Sequence, residues 1–165
     1  MELRNLKKED APFMLEWMHD KDVVKWLQAN FAAKTLADCE AFIENSQHNE
    51  TDLNLAIVDE TDEYMGTVSL KHIDRENKTA EFAVTIRSKA MGKGISKYGM
   101  QEIIRLGLQE YGLDAIYWCV SVENERAIRF YEKGDGQRTN QIPQNILEKY
   151  DEKILEKLIW YVVKK

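Results

Sequence analysis

The chain has 165 residues, 44% of them hydrophobic and 32% charged, with only two prolines; such values exclude a disordered chain, a collagen-like repeat and a mucin-like stalk. A formal net charge of −6 argues against a general nucleic-acid binder. No uninterrupted apolar run exceeds the length of Ala115–Val120, too short to span a bilayer, so no membrane partner is expected. Folding at this length buries about 70% of the unfolded surface, so one domain over residues 1–165 needs neither metal nor disulfide staples. Cys39 and Cys119 lie far apart and read as reduced thiols, and Met1-Glu2-Leu3-Arg4-Asn5 carries no apolar leader. The expectation is a soluble cytoplasmic protein.

In chain order, Asp10 followed by Ala11-Pro12 reads as a helix start, with Phe13, Met14, Trp17 and Met18 at helical spacing. A second short helix is predicted from Asp22, carrying Val23, Val24, Trp26 and Leu27. Thr35 and Asp38 form a capping-box pattern ahead of Leu36, Cys39 and Ile43. Leu53, Leu55 and Ile57 alternate as in a strand, Asp59–Glu63 reads as a turn, and Met65–Ile73 and Thr79–Ile86 as two further strands. These three strands are expected to form an antiparallel meander. Gly92 and Gly94 precede a helical pattern on Ile95, Gly99, Ile103 and Leu106 that ends near Gly112. Ala115–Ser121 is a strand of the buried kind, Asn124 caps a helix through Lys133 with Gly134 at its end, and Leu158–Val163 is a last strand. The fold class is α/β or α+β: a mixed central sheet with an N-terminal meander, flanked by helices.

Charge is unevenly placed. Thr35–Leu70 holds nine acidic residues and no lysine or arginine, whereas Ile86–Gln101 holds Arg87, Lys89, Lys93 and Lys97 and no acid. Two oppositely charged solvated faces would explain this, as would an anion site in the second segment and an attraction for cations near the first.

The stretch from Val84 to Ser96 carries the strongest chemical content: a strand, a basic glycine-containing turn and a helix start. Helix N-termini leave backbone N–H groups free and favour negative charge, and glycine lets that backbone approach a phosphate. The segment is no P-loop, and it lacks the third glycine of a dinucleotide fingerprint. An ordinary strand-to-helix turn with solvated lysines would look much the same. A second motif follows about thirty residues on: Asn124, Ala127, Tyr131, Glu132 and Lys133 behind the strand at Ile116–Val120.

Here the sequence resembles the Gcn5-related N-acetyltransferase superfamily. Lys89-Ala90-Met91-Gly92-Lys93-Gly94 is similar to that family's Gln/Arg-x-x-Gly-x-Gly/Ala, and Asn124, Ala127 and Tyr131-Glu132-Lys133 to its second signature. The resemblance implies a single-domain fold of that type and an enzyme moving the acetyl group of acetyl-CoA to a primary amine. The branches it suggests act on a polyamine, an amino sugar, an aminoglycoside or a protein N-terminus. By the same resemblance, the amides around Arg87, Lys89, Met91, Gly92, Lys93, Gly94, Ile95 and Ser96 hold the pyrophosphate. Val84, Thr85 and Ile86 pair with the pantetheine arm, Asn124 contacts that arm, and Tyr131 lies near the sulfur. A non-catalytic acetyl-CoA sensor or partner module on the same fold is the alternative. The family's usual Gly-Phe or Gly-Tyr after the second motif is replaced by Gly134-Asp135-Gly136, leaving the packing behind Tyr131 without its usual aromatic.

An acceptor amine with a pKa of about 10 must lose a proton before it attacks a thioester. The leaving thiolate benefits from a donor, a role that suits Tyr131. Glu81 interrupts an apolar strand just ahead of the basic turn and is the base candidate; a solvent-facing strand glutamate is the plain alternative. Glu16, Asp20, Trp17 and Trp26 are candidates to touch the acceptor, although the tryptophans fit helix–helix packing better. His19, His48 and His72 show no metal-ligand spacing, and no Cys–His nucleophile pair is expected. Edge strands and Ile159–Val163 could pair two copies into a homodimer.

Overall fold

The structure, a computed structural model, describes residues 1–27 and 29–165. The expected meander is present as β2 (Leu53–Val58), β3 (Tyr64–Asp74) and β4 (Thr79–Ile86), all antiparallel. It is extended on its outer edge by β1 (Glu2–Asn5), antiparallel to β2. Strand β5 (Ala115–Ser121) lies parallel to β4, and β7 (Leu158–Lys164) pairs antiparallel with all seven residues of β5. A two-residue strand, β6 (Gln137–Arg138), closes the far edge, giving the order β1-β2-β3-β4-β5-β7-β6. The C-terminal segment thus pairs along one edge with all of β5 and along the other with β6 at Tyr161 and Val162.

Side chains alternate across the sheet and feed two cores. Leu55 and Ile57 of β2 join Val68, Leu70, Phe82, Ile116 and Trp118 under α4 (Ile95–Arg105) and α5 (Glu125–Glu132). Ala56 and Val58 face the other way, joining Tyr64 and residues of α1 (Ala11–Met18) and α3 (Leu36–Ser46). Trp17 belongs to this second core: its indole N–H donates to the Tyr64 hydroxyl at 2.9 Å and its ring meets Phe31 edge-on at 5.2 Å. It is helix packing, not an acceptor contact.

Local signals behave as their chemistry dictates, with one correction. The Thr35–Asp38 capping box forms in both directions, at 3.2 and 2.8 Å. The helix start at Asp10-Ala11-Pro12 appears as expected, with Asp10 the N-cap residue of α1 and the proline in its first turn; the Asp10 carboxylate turns to the Arg4 guanidinium (2.8 and 2.9 Å) and the Lys7 amide (2.8 Å) instead of the helix, tying β1 to the following turn. The second helix, α2 (Lys21–Val24), starts earlier than expected, because Asp20 rather than Asp22 supplies the cap, accepting from the Asp22 amide at 3.1 Å. Two further short helices, α6 (Gln144–Leu147) and α7 (Glu152–Leu155), occupy the polar stretch before β7.

The Gly134-Asp135-Gly136 corner finds its aromatic elsewhere. A Cβ placed on Gly136 would fall inside the Trp118 ring, so the absence of a side chain there lets the indole fill the space. Trp118 stacks on Tyr161 (centroids 5.7 Å apart, planes 11° from parallel) and leans on Tyr131 and Phe82. Because those rings pin the indole on several sides, Gly136→Ala should destabilise the protein by about 1–3 kcal/mol. At this chain length that lowers the thermal midpoint by roughly 3–10 °C, read by circular dichroism.

Candidate active site

Strands β4 and β5 hydrogen-bond over only three residue pairs: Thr79 with Ala115, Ala80 with Ile116 and Glu81 with Tyr117. Beyond that point β4 follows β3 and β5 follows β7, and the two diverge. Val84, Thr85 and Ile86 thus line one side of a split in the sheet. Their side chains are half-buried, and one backbone edge has no strand beside it. An edge of this kind is able to bind an extended chain by strand-like pairing.

At the end of β4 the chain passes Arg87, a 3-10 turn over Ser88–Ala90 and Met91 before α4 begins. Gly92 (φ 77°) and Gly94 (φ 76°) adopt the left-handed conformation, and no atom lies within 4 Å of where either Cβ would stand. Gly94 is the N-cap of α4, no side chain caps the helix, and its first turn contains no acid. The first amide bonded back is that of Tyr98, to the Gly94 carbonyl at 3.0 Å. The Ile95, Ser96 and Lys97 amides are thereby left for an outside acceptor. The Ile95 side chain is buried in the core, so only its backbone can serve, whereas Lys93 and Lys97 are exposed.

The Arg87 side chain turns away from this cradle. Only 5% exposed, its guanidinium grips Glu16 in a fork (2.7 and 3.0 Å), Glu63 (2.7 Å) and the Tyr64 carbonyl (2.9 Å), and lies over the Phe13 ring. These four hydrogen bonds anchor the turn to α1 and β3. Lys89 is held to Glu63 at 2.7 Å, and the Ser88 hydroxyl donates to Asp20. The acids at 16 and 20, candidates for the acceptor cleft, thus hold the glycine turn. Met91 meets the Arg126 guanidinium through its sulfur at 3.9 Å, linking the turn to α5.

The second motif sits across the split. Asn124 caps α5, its Oδ1 accepting from the Ala127 amide at 3.2 Å; this leaves its side-chain amide N–H groups available. Tyr131 packs its ring on Trp118 (5.6 Å) and Tyr161 (5.4 Å), while its hydroxyl makes no hydrogen bond among the described residues. Burial, then nearby Cys119 and Tyr161, raise that hydroxyl above its ordinary 10, so it is a neutral proton donor at physiological pH. Its packing and its chemical role are compatible.

Glu81 is 2% exposed, which rules out the solvent-facing alternative. One oxygen is 3.0 Å from His72 Nδ1, and the other accepts from the Tyr150 hydroxyl. The Cys119 thiol, which burial pushes up to about 12, donates in turn to Tyr150 at 3.6 Å. Burial also drives the Tyr150 hydroxyl far above its ordinary 10, helped by Cys119 and Glu81. Neither His72 nor Tyr150 was flagged by the sequence. His72 is delivered by a register slip in β3 between Lys71 and Asp74, where its backbone takes φ 53°, and Tyr150 by the α6–α7 stretch. Among the described residues no cluster of His, Cys, Asp or Glu has the arrangement of a metal centre.

The sequence profile of the family described as "Acetyltransferase (GNAT) domain" matches residues 1–136. A Bacillus licheniformis protein named "Uncharacterized N-acetyltransferase p20" is 30% identical over 130 residues, covering 77% of this chain and 73% of that protein. The spermidine N(1)-acetyltransferase of Escherichia coli K12 is 26% identical over 140 residues, covering 81% and 70%. The fold is similar to that of the Vibrio cholerae spermidine N-acetyltransferase solved with CoA and spermine, with a TM-score of 0.81 at 18% identity over 99% of this chain and 94% of that one.

The clamp on the glycine turn is pH-sensitive. Hydrogen bonds from Lys89 and then Arg87 hold the Glu63 carboxyl below its ordinary 4.5. Its stabilising contribution is therefore complete above about pH 4.5 and is lost as pH falls through the depressed value. Thermal melts between pH 6 and 3 should show wild type losing stability more steeply than Glu63→Gln at the acid end.

Proposed function

Because the chain belongs to the acetyltransferase (GNAT) family, an acetyl-CoA-dependent N-acetyltransferase, we propose that its acceptor is a polyamine. We further propose that the residues assembled around the split hold the two substrates. The observation that carries the site assignment is the parting of β4 from β5 beside an uncapped helix N-terminus. Open space over Gly92 and Gly94 leaves room for a pyrophosphate against the Ile95, Ser96 and Lys97 amides, with Lys93 and Lys97 adding charge. The free edge of Val84–Ile86 suits the pantetheine arm, and the Asn124 side-chain amide can donate to it from the opposite side.

Bound acetyl-CoA supplies an activated acyl group. The chain's own residues orient it and manage protons. Tyr131, neutral and with no hydrogen-bond partner for its hydroxyl among the described residues, gives its proton to the departing sulfur. Removing the proton of the amine falls to the cluster around Glu81 on the far side of the split. Support for a polyamine comes from the spermidine acetyltransferases among the relatives and from the net charge of −6, which favours a polycation. No observation favours the non-catalytic module. A cytoplasmic location, where polyamines and acetyl-CoA meet, belongs to the same reading.

Calorimetric titration with acetyl-CoA, run beside ADP, should show selective micromolar binding. Gly92→Glu, which sets a carboxylate in the cradle at a φ of 77°, should abolish it; binding equal to that of ADP would refute the cradle assignment. Coenzyme A thiol release should be faster with spermidine or spermine than with glucosamine or a short peptide. In that assay Tyr131→Phe should lower kcat about 100-fold while leaving acetyl-CoA affinity intact.

A further inference from the structure

His72 stands out because three features converge on it. Its backbone is left-handed (φ 53°), which is uncommon for a residue bearing a side chain and concentrates at functional sites. The register slip that produces this conformation turns the ring toward Glu81, as bulges do when they re-aim a side chain. The neighbouring backbone is clamped: the His72 amide donates to Asp52 Oδ1 at 3.0 Å and the Ile73 amide to the Thr51 carbonyl at 2.8 Å. Strain held so firmly serves to place the imidazole.

The hydrogen bonds define what the ring can do. An ionised carboxylate only accepts, so the 3.0 Å contact puts the hydrogen on Nδ1. Nε2 then keeps its lone pair, and no group among the described residues bonds to it. The side chain is 22% exposed, whereas Glu81 is 2% exposed with both oxygens engaged, one by His72 and one by Tyr150. A substrate proton can therefore reach the imidazole without rearrangement, but reaches the carboxylate only if Tyr150 or His72 moves away.

We propose that His72 Nε2 is the general base that deprotonates the acceptor amine, and that Glu81 is a positioning residue acting through it. This rests on the acetyl-transfer reading above. The ammonium gives one proton to His72 Nε2, from which it passes to solvent, and the freed nitrogen lone pair forms the new bond to the acetyl carbon. The carbon–sulfur bond breaks with its electron pair going to sulfur, which takes the proton of Tyr131. The second amine proton, released as the amide forms, restores Tyr131. The charged and titratable groups facing the dyad are Asp52 and Lys71 around β3, Glu81 on β4, Cys119 on β5 and Tyr150 before α7.

The test uses two substitutions that tolerate positive φ, His72→Gly and His72→Asn, with Glu81→Gln and the double variant His72→Gly/Glu81→Gln. Thiol release with spermidine should fall roughly 100- to 1000-fold in His72→Gly, with acetyl-CoA affinity by calorimetry unchanged. Added imidazole should restore at least about tenfold of this loss in His72→Gly and little in His72→Asn, a response that a merely structural histidine would not give. Glu81→Gln should lower kcat in the wild-type background but cost nothing further in His72→Gly. Near-wild-type turnover in His72→Gly, absence of rescue, or an undiminished Glu81→Gln effect in both backgrounds would overturn the assignment. If the wild type itself acetylates none of the amines while binding acetyl-CoA, the acetyl-transfer reading fails first and takes this assignment with it.

Discussion

A parallel strand pair that stops bonding after three residues is the constraint on which the rest of the molecule turns. Neither strand is free to close the gap. β4 is zipped to β3 along its other edge, and β5 to β7 over its full length. Sheet twist carries two such ribbons apart once their shared pairing ends. Backbone groups along the split would be costly to bury without partners, so an opening that admits water or an extended substrate is built into the sheet. Everything chemical is arranged at the margins of that opening. The glycine turn lies at the end of β4, Asn124 and Tyr131 lie beyond β5, and Glu81 marks the last pair before the strands part.

The two faces of the sheet divide the work. Under α4 and α5 the packing is apolar and aromatic, and it presents Tyr131 rigidly. On the opposite face polar residues sit in the interior with partners: Ser69 with Asn54 at 2.6 Å, Tyr64 with Thr67 at 2.6 Å, and Glu81 with His72 and Tyr150. Arg87 ties this second face to the glycine turn by engaging one helix, one strand and one ring together. A buried guanidinium held by four hydrogen bonds is costly to disturb, because removing its carboxylate partners leaves its charge without compensation. The glycine turn and the helix α1 over the opposite face thus share one anchor.

Elements defined by contacts a few residues apart were legible in the sequence. The Thr35 capping box, the Asn124 cap and the glycine pair before α4 each act over three or four positions, and each appears where the pattern placed it. What escaped depends on distance along the chain. Arg87 reads as one more cation in a basic turn until the fold brings in Glu16, 71 residues away. Tyr150 reaches Glu81 from 69 residues away, and His72 gains its orientation from a bulge that no residue type announces. β1, four half-exposed residues without apolar alternation, leaves no periodic trace, and the interior place of β7 depends on β6, only two residues long. The resemblance motifs identified the family because they encode local backbone geometry; they were silent on how the proton leaves.

The state of Cys119 has a consequence for chemoselectivity. A thiol close to a thioester invites exchange, an almost isoenergetic reaction that would strand the acyl group on the protein and convert direct transfer into self-acylation. Only the thiolate is a competent nucleophile. With burial pushing the thiol up to about 12, the thiolate is scarce at neutral pH. Desolvation on β5 therefore does more than fill space: it silences the competing sulfur and leaves nitrogen as the nucleophile that the fold allows to react.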